Sequence, residues 1–474
     1  MRTIPERAIF HSASADRPGF VVNAPNSKLD ALALPFQERD DDMGGMAQSF
    51  EVEVVRHYTR LSTMNFDIDR GLYPLGSCTM KHNPRLNEAV AADPAWANPH
   101  PNLPDEYLAG HLAIMAELAK DLAEVSGFEE VCLMPAAGAH GELTATFMIR
   151  AYHDAKGNTA KNVVLIPDSA HGTNPASAAM VGYRCKEIPS GPDGTLRLQD
   201  VLPHLDDTVA AIMITNPNTL GIYETEFRAI AAAIHEKDAL VYMDGANFNA
   251  VMGVFKPGKI GADIMHFNLH KTFTTPHGGG GPGSGPIGYN QKLAAFAPQS
   301  GKKESIGRVK AWLGQWGMFI RAWTYIRSLG GQGLKEVSEE AVINANYVRK
   351  QLEGTLHLPF KTRTLHEVVF TDKNLPNGVT TGDLAKRLID HGFHPPTVYF
   401  PIHVRGALMI EPTETETRQE LDRFISAVKT TVDEAMSDPE ILKTAPHTTD
   451  VSRVDEVRAA RDLNLRWSPS PKDA

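Results

Sequence analysis

The sequence predicts an α/β protein: a large domain built on a mostly parallel sheet with helices on both faces, then a smaller C-terminal α+β domain. Three observations carry that expectation. Short apolar runs alternate with stretches of helical period from Pro104 to Gly288, and strand–loop–helix repeated this way buries a parallel sheet between two helical layers. The chemically suggestive residues fall just after the apolar runs, at the carboxyl ends of strands, where ligands of such sheets bind. Beyond residue 330 the pattern becomes a small set of short strands and amphipathic helices.

The elements follow in order. Residues 1 to about 60 are polar, rich in Pro and Asp, and weakly patterned, with Asp40-Asp-Asp-Met-Gly-Gly45 reading as loop. Residues 56–81 mix aromatic, small polar and basic side chains without a clean period. A helix is expected over 107–126, where Leu108, Leu112, Met115, Leu118, Leu122 and Val125 share one face. A strand at 131–134 then leads into a small-residue loop, Gly138-Ala-His-Gly141, opening a helix to about His153. Strands at 163–166, 209–214 and 239–243 alternate with helices after Pro175 and over 224–236. One or two long helices are expected over 312–329 and 333–352. The tail domain has strands at 366–371 and 407–410, a helix at 381–391, and a helix capped at Thr413, which stands at capping-box spacing from Glu416. The boundaries expected are 1–103 for an N-terminal arm and loop segment, 104–330 for the large domain, and 331–474 for the small domain with an extended tail.

Composition excludes several classes. A chain of 474 residues exceeds one small core. With 42% apolar and 22% charged residues it has an ordinary soluble balance, and a net charge of −10 argues against nucleic acid. No run approaches the roughly 18 apolar residues of a membrane span, and the first residues, with Glu6 among them, read neither as a secretory signal nor as a mitochondrial leader. Cys78, Cys132 and Cys185 are odd in number and widely spaced, so neither a disulfide framework nor a zinc site is expected, and a reducing, cytoplasmic compartment is.

The chain is organised around residues 244–288. An apolar strand delivers Asp244, a second apolar run at 264–267 leads to Lys271 between His270 and Thr272, and the glycines 278–281 follow. A lysine after a buried strand can form a Schiff base with the aldehyde of pyridoxal phosphate when its amine can shed its proton. A carboxylate at a neighbouring strand end can keep the pyridine nitrogen protonated, so that the ring accepts electrons from a carbanion. Singly, Asp-Gly after a strand is a turn and such a lysine is a solvated loop residue. Four consecutive glycines beside them are costly unless backbone must approach something closely or take positive φ.

The run HKTFTTPHGGGGPGSGP from His270 to Pro286, with Leu75-Gly-Ser-Cys-Thr-Met-Lys81 far upstream, resembles the P-protein of the glycine cleavage system, the pyridoxal-phosphate-dependent glycine dehydrogenase (decarboxylating). The resemblance covers nearly the whole chain and points to the lysine-bearing half that some organisms make as a separate subunit 2. It implies fold type I among pyridoxal phosphate enzymes, places residues 75–81 in the active-site region, and makes Lys271 the catalytic residue. Lys81 also stands in a suggestive place, but lacks the upstream aspartate and the following glycines. Helix starts bind phosphate, and the corresponding loop does so in this superfamily, so Ala139 and His140 are assigned to the cofactor phosphate, a ligand-free helix start being the alternative. His171 can stack on the pyridine face or be a hydrogen-bonded loop histidine. Asn247 can reach the ring's phenolic oxygen or cap the turn, and His270 and Thr275 can bond phosphate or substrate. Arg405 is a candidate for the glycine carboxylate, a solvated surface arginine the other reading.

The resemblance further implies that glycine displaces Lys271, carbon dioxide leaves, and the aminomethyl group passes to the lipoyl arm of a second protein, the H-protein. The glycines 278–285 are a candidate lining of the cleft that admits the arm. A partner like the other half is implied, in an α2β2 heterotetramer. Two other readings stand beside it: a homodimeric decarboxylase or desulfurase-like lyase, against which residues 75–81 speak, and a half that has lost catalysis, against which Asp244 and Lys271 speak.

Overall fold

The computed structural model describes residues 8–11, 49–278 and 281–463. Residues 71–445 form one compact unit. Its main sheet has seven strands: β1 (Glu130–Cys132), β2 (Val163–Pro167), β3 (Arg184–Ile188), β4 (Val209–Thr215), β5 (Leu240–Asp244), β6 (Ile264–His266) and β7 (Ile287–Tyr289), in the order β1-β7-β6-β5-β4-β2-β3. Strands β3, β2, β4, β5 and β6 pair in parallel, whereas β7 runs antiparallel to both β6 and β1.

The central strands are buried on both faces, which is why they read as continuous apolar runs. Alternation splits their side chains between two cores. Ile212, Val241, Met243 and Met265 pack on the side of the helices Ala109–Ser126 and Phe227–Glu236. Met213, Tyr242 and Ile264 pack on the side of the helices Gly138–Ala155 and Thr173–Met180, against Met148, Ile149 and Ala178. Each such buried side chain contributes about 1.5–3 kcal/mol. One consequence positions chemistry: Tyr242 and Asp244, two residues apart, leave β5 on the same face.

A smaller antiparallel sheet, in the order β8-β10-β9, is made of β8 (Val368–Thr371), β9 (Thr397–Val398) and β10 (Ala407–Ile410). Phe370, Leu384, Leu408, Phe424 and Val428 form its core with the helices Thr381–Asp390 and Arg418–Ser437. The long helix Trp316–Leu352 joins the two sheets, and Gly330 (φ 63°, ψ −179°) breaks it into two arms, as the two helical stretches in the sequence suggest. No Cβ resists that conformation at a glycine.

Several elements differ from expectation. The last long helix starts at Arg418, with the Thr417 side chain accepting from the Glu420 N–H. The sequence 413–420 carries the Thr-x-x-Glu spacing twice, and Thr413 takes a left-handed φ of 62° instead, so the second copy is the cap. Strand β3 has four exposed positions and no apolar run to announce it, as suits a polar sheet edge. The first strand begins one residue earlier than the 131–134 run.

The other unit comprises residues 1–70 and 446–474. Among its described residues are the helices Glu51–Met64 and Glu456–Arg461; the first was not foreseen from the weak pattern there. The loop expected at 40–45 lies outside the described residues, as do Gly279 and Gly280.

Candidate active site

Four strand ends and one helix start converge on a single cavity. Strand β5 ends in Asp244, and the turn after it carries Ala246 and Asn247. Strand β6 supplies His266, then Asn268, whose carbonyl accepts from the Lys271 N–H at 3.0 Å and starts the four-residue helix Leu269–Thr272. Thr215 ends β4, and the loop after β2 brings His171 and Thr173. Gly138 and Ala139 begin the helix Gly138–Ala155 at the wall, with no side chain capping it. The first N–H groups of a helix have no internal partner and stand at the positive end of its dipole. Gly285 closes the back of this corner, because a Cβ there would lie 1.9 Å from the Ala137 carbonyl oxygen.

Asp244 is 2% exposed, and its Oδ1 accepts the Ala246 N–H at 2.9 Å. The same oxygen lies 3.6 Å from His266 Nε2, and His266 Nδ1 meets the Tyr242 hydroxyl at 2.5 Å. Burial pushes His266 below the usual imidazole range, so it stands neutral beside the carboxylate. Glu142, also on the cavity wall, accepts the Thr173 hydroxyl at 2.8 Å. Burial, reinforced by Asp244, pushes its carboxyl up to about 7. A carboxyl raised in the folded state binds protons that the unfolded chain has shed, so stability falls as pH rises from the ordinary glutamate value towards 7. Glu142→Gln in the cofactor-free chain is expected to flatten the dependence of Tm on pH across that window, removing a penalty of about 3 kcal/mol above it. Parallel wild-type and variant curves would show that Glu142 ionises normally.

Lys271 is buried, and its Nζ donates to the Ser77 carbonyl at 2.6 Å. The 75–81 segment therefore reaches the lysine across most of the large domain, and Ser77 is on the cavity wall. The other suggestive lysine, Lys81, is in a different setting. Its amine is held by Glu414 at 2.8 Å and by the Thr272 carbonyl at 2.9 Å. Burial alone would lower its pKa, but Glu414 and Tyr325 outweigh it, so Lys81 stays charged and occupied.

Among the residues singled out in the sequence, Lys271, Asp244, Asn247, His171 and Ala139 all line this cavity. The Asn247 amide nitrogen donates to the Pro217 carbonyl at 3.0 Å, and His171 Nδ1 meets the Thr173 hydroxyl at 2.8 Å. His140, His270 and Thr275 are not on the cavity wall. His140 Nδ1 accepts from the Ala136 N–H at 3.1 Å, bracing the turn before the helix. His270 Nδ1 accepts from the Ser284 N–H at 3.3 Å, and burial pushes this ring down to about 3, so it stays neutral. Thr275 is buried, its N–H donating to the Leu269 carbonyl. Arg405 is exposed on the loop before β10. Sequence reasoning did not single out Glu142, Thr215 or His266, and it reached Ser77 only as part of the 75–81 segment. Two signals were there: His266 has the period-two spacing that puts it on Asp244's face of the adjacent strand, and Glu142 follows Gly138 by one helical turn.

A larger cavity of about 650 Å³ lies beside β1 and β7, lined by Met115, Leu133, Tyr289 and Ala294 among others. It has no lysine–aspartate pair, so chemistry rather than volume identifies the site. The residues present fit pyridoxal phosphate: an amine for the aldehyde, a buried carboxylate for the ring nitrogen, an uncapped helix start for the phosphate. In addition, the Thr215 hydroxyl on the wall is buried without a partner. Fold and site together define a pyridoxal-phosphate-dependent enzyme of fold type I.

Comparison with known proteins agrees. The family profile "Aminotransferase class-V" matches residues 141–280, and "Glycine dehydrogenase, C-terminal domain" matches residues 337–447. Proteins named "probable glycine dehydrogenase (decarboxylating) subunit 2" are similar over nearly their whole length. That of Alkaliphilus oremlandii is 50% identical over 484 residues, covering 98% of this chain and 99% of its own. That of Thermococcus onnurineus is 47% identical over 481 residues, covering 98% and 96%. Among solved structures, a glycine decarboxylase (P-protein) of the glycine cleavage system, in inhibitor-bound form, aligns with a TM-score of 0.68 at 20% identity, covering 86% of this chain and 93% of its own. A NifS-like protein aligns at 0.61 and 15% identity, covering 77% and 99%; at these identities the likeness concerns the fold. The chain belongs to the glycine dehydrogenase (decarboxylating) subunit 2 family, pyridoxal phosphate enzymes of glycine cleavage.

Proposed function

We propose a division of labour among this chain's residues for the decarboxylation of glycine. The observation that carries it is the meeting of the Lys271 amine and the Asp244 carboxylate on one cavity wall, beside an uncapped helix start. Lys271 would hold the cofactor aldehyde, and it is the amine that the amino group of glycine would replace. Asp244, oriented by the Ala246 N–H, would supply the carboxylate that keeps a pyridine nitrogen protonated. The N–H groups of Gly138 and Ala139 receive the phosphate. His171 would offer its ring for stacking, while Asn247, its amide given to the Pro217 carbonyl, fixes the turn after β5. His140, His270 and Thr275 support the walls. Bound pyridoxal phosphate supplies the electron sink for the pair left behind by the departing carboxylate.

None of the described residues lining the cavity is an arginine. A guanidinium would hold the glycine carboxylate by two charge-assisted bonds, stabilising the group that has to leave.

The finer assignments are part of the same proposal. The name of the relatives implies a second subunit, and we assign an α2β2 heterotetramer with subunit 1. A lipoylated H-protein receives the aminomethyl group: a C–S bond forms as the lipoyl S–S bond breaks, and the released sulfur takes up a proton. No described helix is long and apolar enough to cross a membrane, and we assign the reaction to the cytoplasm. Residues 104–330 are read as the cofactor-binding domain and 331–474 as the small domain. The experiment is borohydride reduction of the chain loaded with pyridoxal phosphate. The cofactor mass is expected on the peptide that contains Lys271. Label on another lysine, or no label, would overturn the assignment.

A further inference from the structure

Behind the segment that touches Lys271 lie two fully buried carboxylates that the reading above does not use. Glu411 follows β10, and its Oε2 accepts the Thr79 N–H at 3.0 Å. Its Oε1 accepts the Thr79 hydroxyl at 2.5 Å and the Asn249 amide at 3.3 Å. Glu367, just before β8, accepts the Ser77 N–H on Oε2 at 2.9 Å. Its Oε1 has no hydrogen-bond partner and stands 3.6 Å from Nε2 of the equally buried His366. Donor atoms of His366, Glu367 and Glu411 all fall within 4.8 Å of one another. The backbone they hold is strained: Ser77 and Thr79, neither a glycine, have φ of 66° and 41°. Such conformations persist only where the surroundings enforce them.

We propose that Glu367 and Glu411 are positioning residues for Lys271, clamping the Ser77 and Thr79 backbone so that the Ser77 carbonyl receives the lysine amine whenever it is not bonded to the cofactor. This rests on the reading of Lys271 as the reactive amine. A lysine that is released in every turnover needs a fixed place to wait, and a carbonyl 2.6 Å away on a clamped loop is one.

The hydrogen bonds divide the two acids. Glu411 accepts three donors with both oxygens, as a carboxylate does; Glu367 accepts one and has a free oxygen, as a protonated acid does. Two such groups side by side in a dry interior hold one proton between them. Burial raises both carboxyls, Glu367 furthest; the Glu411 charge adds to the rise at Glu367, the Thr79 hydrogen bonds restrain Glu411, and Lys271 subtracts at both. Burial also pushes His366 down to about 3, leaving it a neutral neighbour. Metal binding is the competing use of this cluster: Glu367 Oε1 and the His366 nitrogens are open to it, whereas the Glu411 oxygens already accept from Thr79 and Asn249.

The clamp therefore predicts an asymmetry between two equally conservative substitutions. Glu367→Gln mimics the protonated acid already there, whereas Glu411→Gln sets an amide NH2 against the Thr79 donors. In the full chain, free of cofactor, acetic anhydride labelling of Lys271 is followed by peptide mass. Glu411→Gln is expected to raise the labelling rate about tenfold, while Glu367→Gln stays within about twofold. Should Glu411→Gln not fold, Thr79→Ala removes one clamp bond and should shift the rate the same way, by about threefold. Equal rates in both glutamine variants overturn the proposal, as does no change in Thr79→Ala. A stoichiometric divalent cation in the purified chain that is lost in His366→Ala also overturns it, since a metal would then balance the charges. The two readings fail separately: borohydride label away from Lys271 defeats the lysine assignment, whereas correct label with symmetric variants defeats only the clamp.

Discussion

Lys271→Ala is expected to lower carbon dioxide release from glycine by about three orders of magnitude or more in the complete glycine-cleaving system, because no other lysine among the described residues lines the cavity. The nearest rival, Lys81, is occupied by Glu414 and the Thr272 carbonyl, so it cannot swing in as a substitute. The fold should survive. Lys271 leaves behind one unpaired acceptor, the Ser77 carbonyl, at a cost of about 1–3 kcal/mol. Cofactor content should be measured alongside activity, since an alanine variant that still takes up pyridoxal phosphate separates loss of chemistry from loss of binding. Carbon dioxide release within tenfold of wild type would remove Lys271 from the mechanism.

Asp244→Asn comes next in size, with an expected fall of about a hundredfold or more in kcat. The amide has the same shape, and its oxygen can still accept the Ala246 N–H, so the turn stays intact. What disappears is charge. An amide cannot hold a proton on a pyridine nitrogen, and the neighbours cannot take over: His266 stands neutral behind Asp244, and burial holds Glu142 partly protonated near neutral pH. The visible spectrum of the bound cofactor should change while its occupancy does not. A variant with unaltered spectrum and rate would mean that the ring nitrogen does not face position 244.

Much of this was legible in the chain. Strands β4 and β5 are short apolar runs, Asp244 ends β5, and Lys271 stands in the short helix that follows β6. The helix start at Gly138 follows from a run of small residues at a strand end. Neighbourhood along the chain was a poorer guide to the site. His270 sits next to Lys271 and Thr275 is four residues on, yet neither lines the cavity. For His270 the reason is the helix Leu269–Thr272: each step along a helix turns the side chain about 100°, so a residue adjacent to one that faces a cavity faces elsewhere; Thr275 lies beyond that helix, where the chain has already turned away.

By itself, then, the sequence determined the alternation of the central strands with their helices, though not β3, β7 or β9, the burial of the central sheet, and the lysine and aspartate delivered to its carboxyl edge. These follow from local periodicity and from the chemistry of single side chains. Only the tertiary structure decided what surrounds them. Ser77 meets Lys271, Glu367 and Glu411 hold the backbone of Ser77 and Thr79, and Tyr242 meets His266 across two adjacent strands. Partners of that kind lie far apart in the chain or on different strands, and nothing in either segment announces the other. They are selected because a buried charge or a strained backbone must find compensation wherever the packed core happens to bring it.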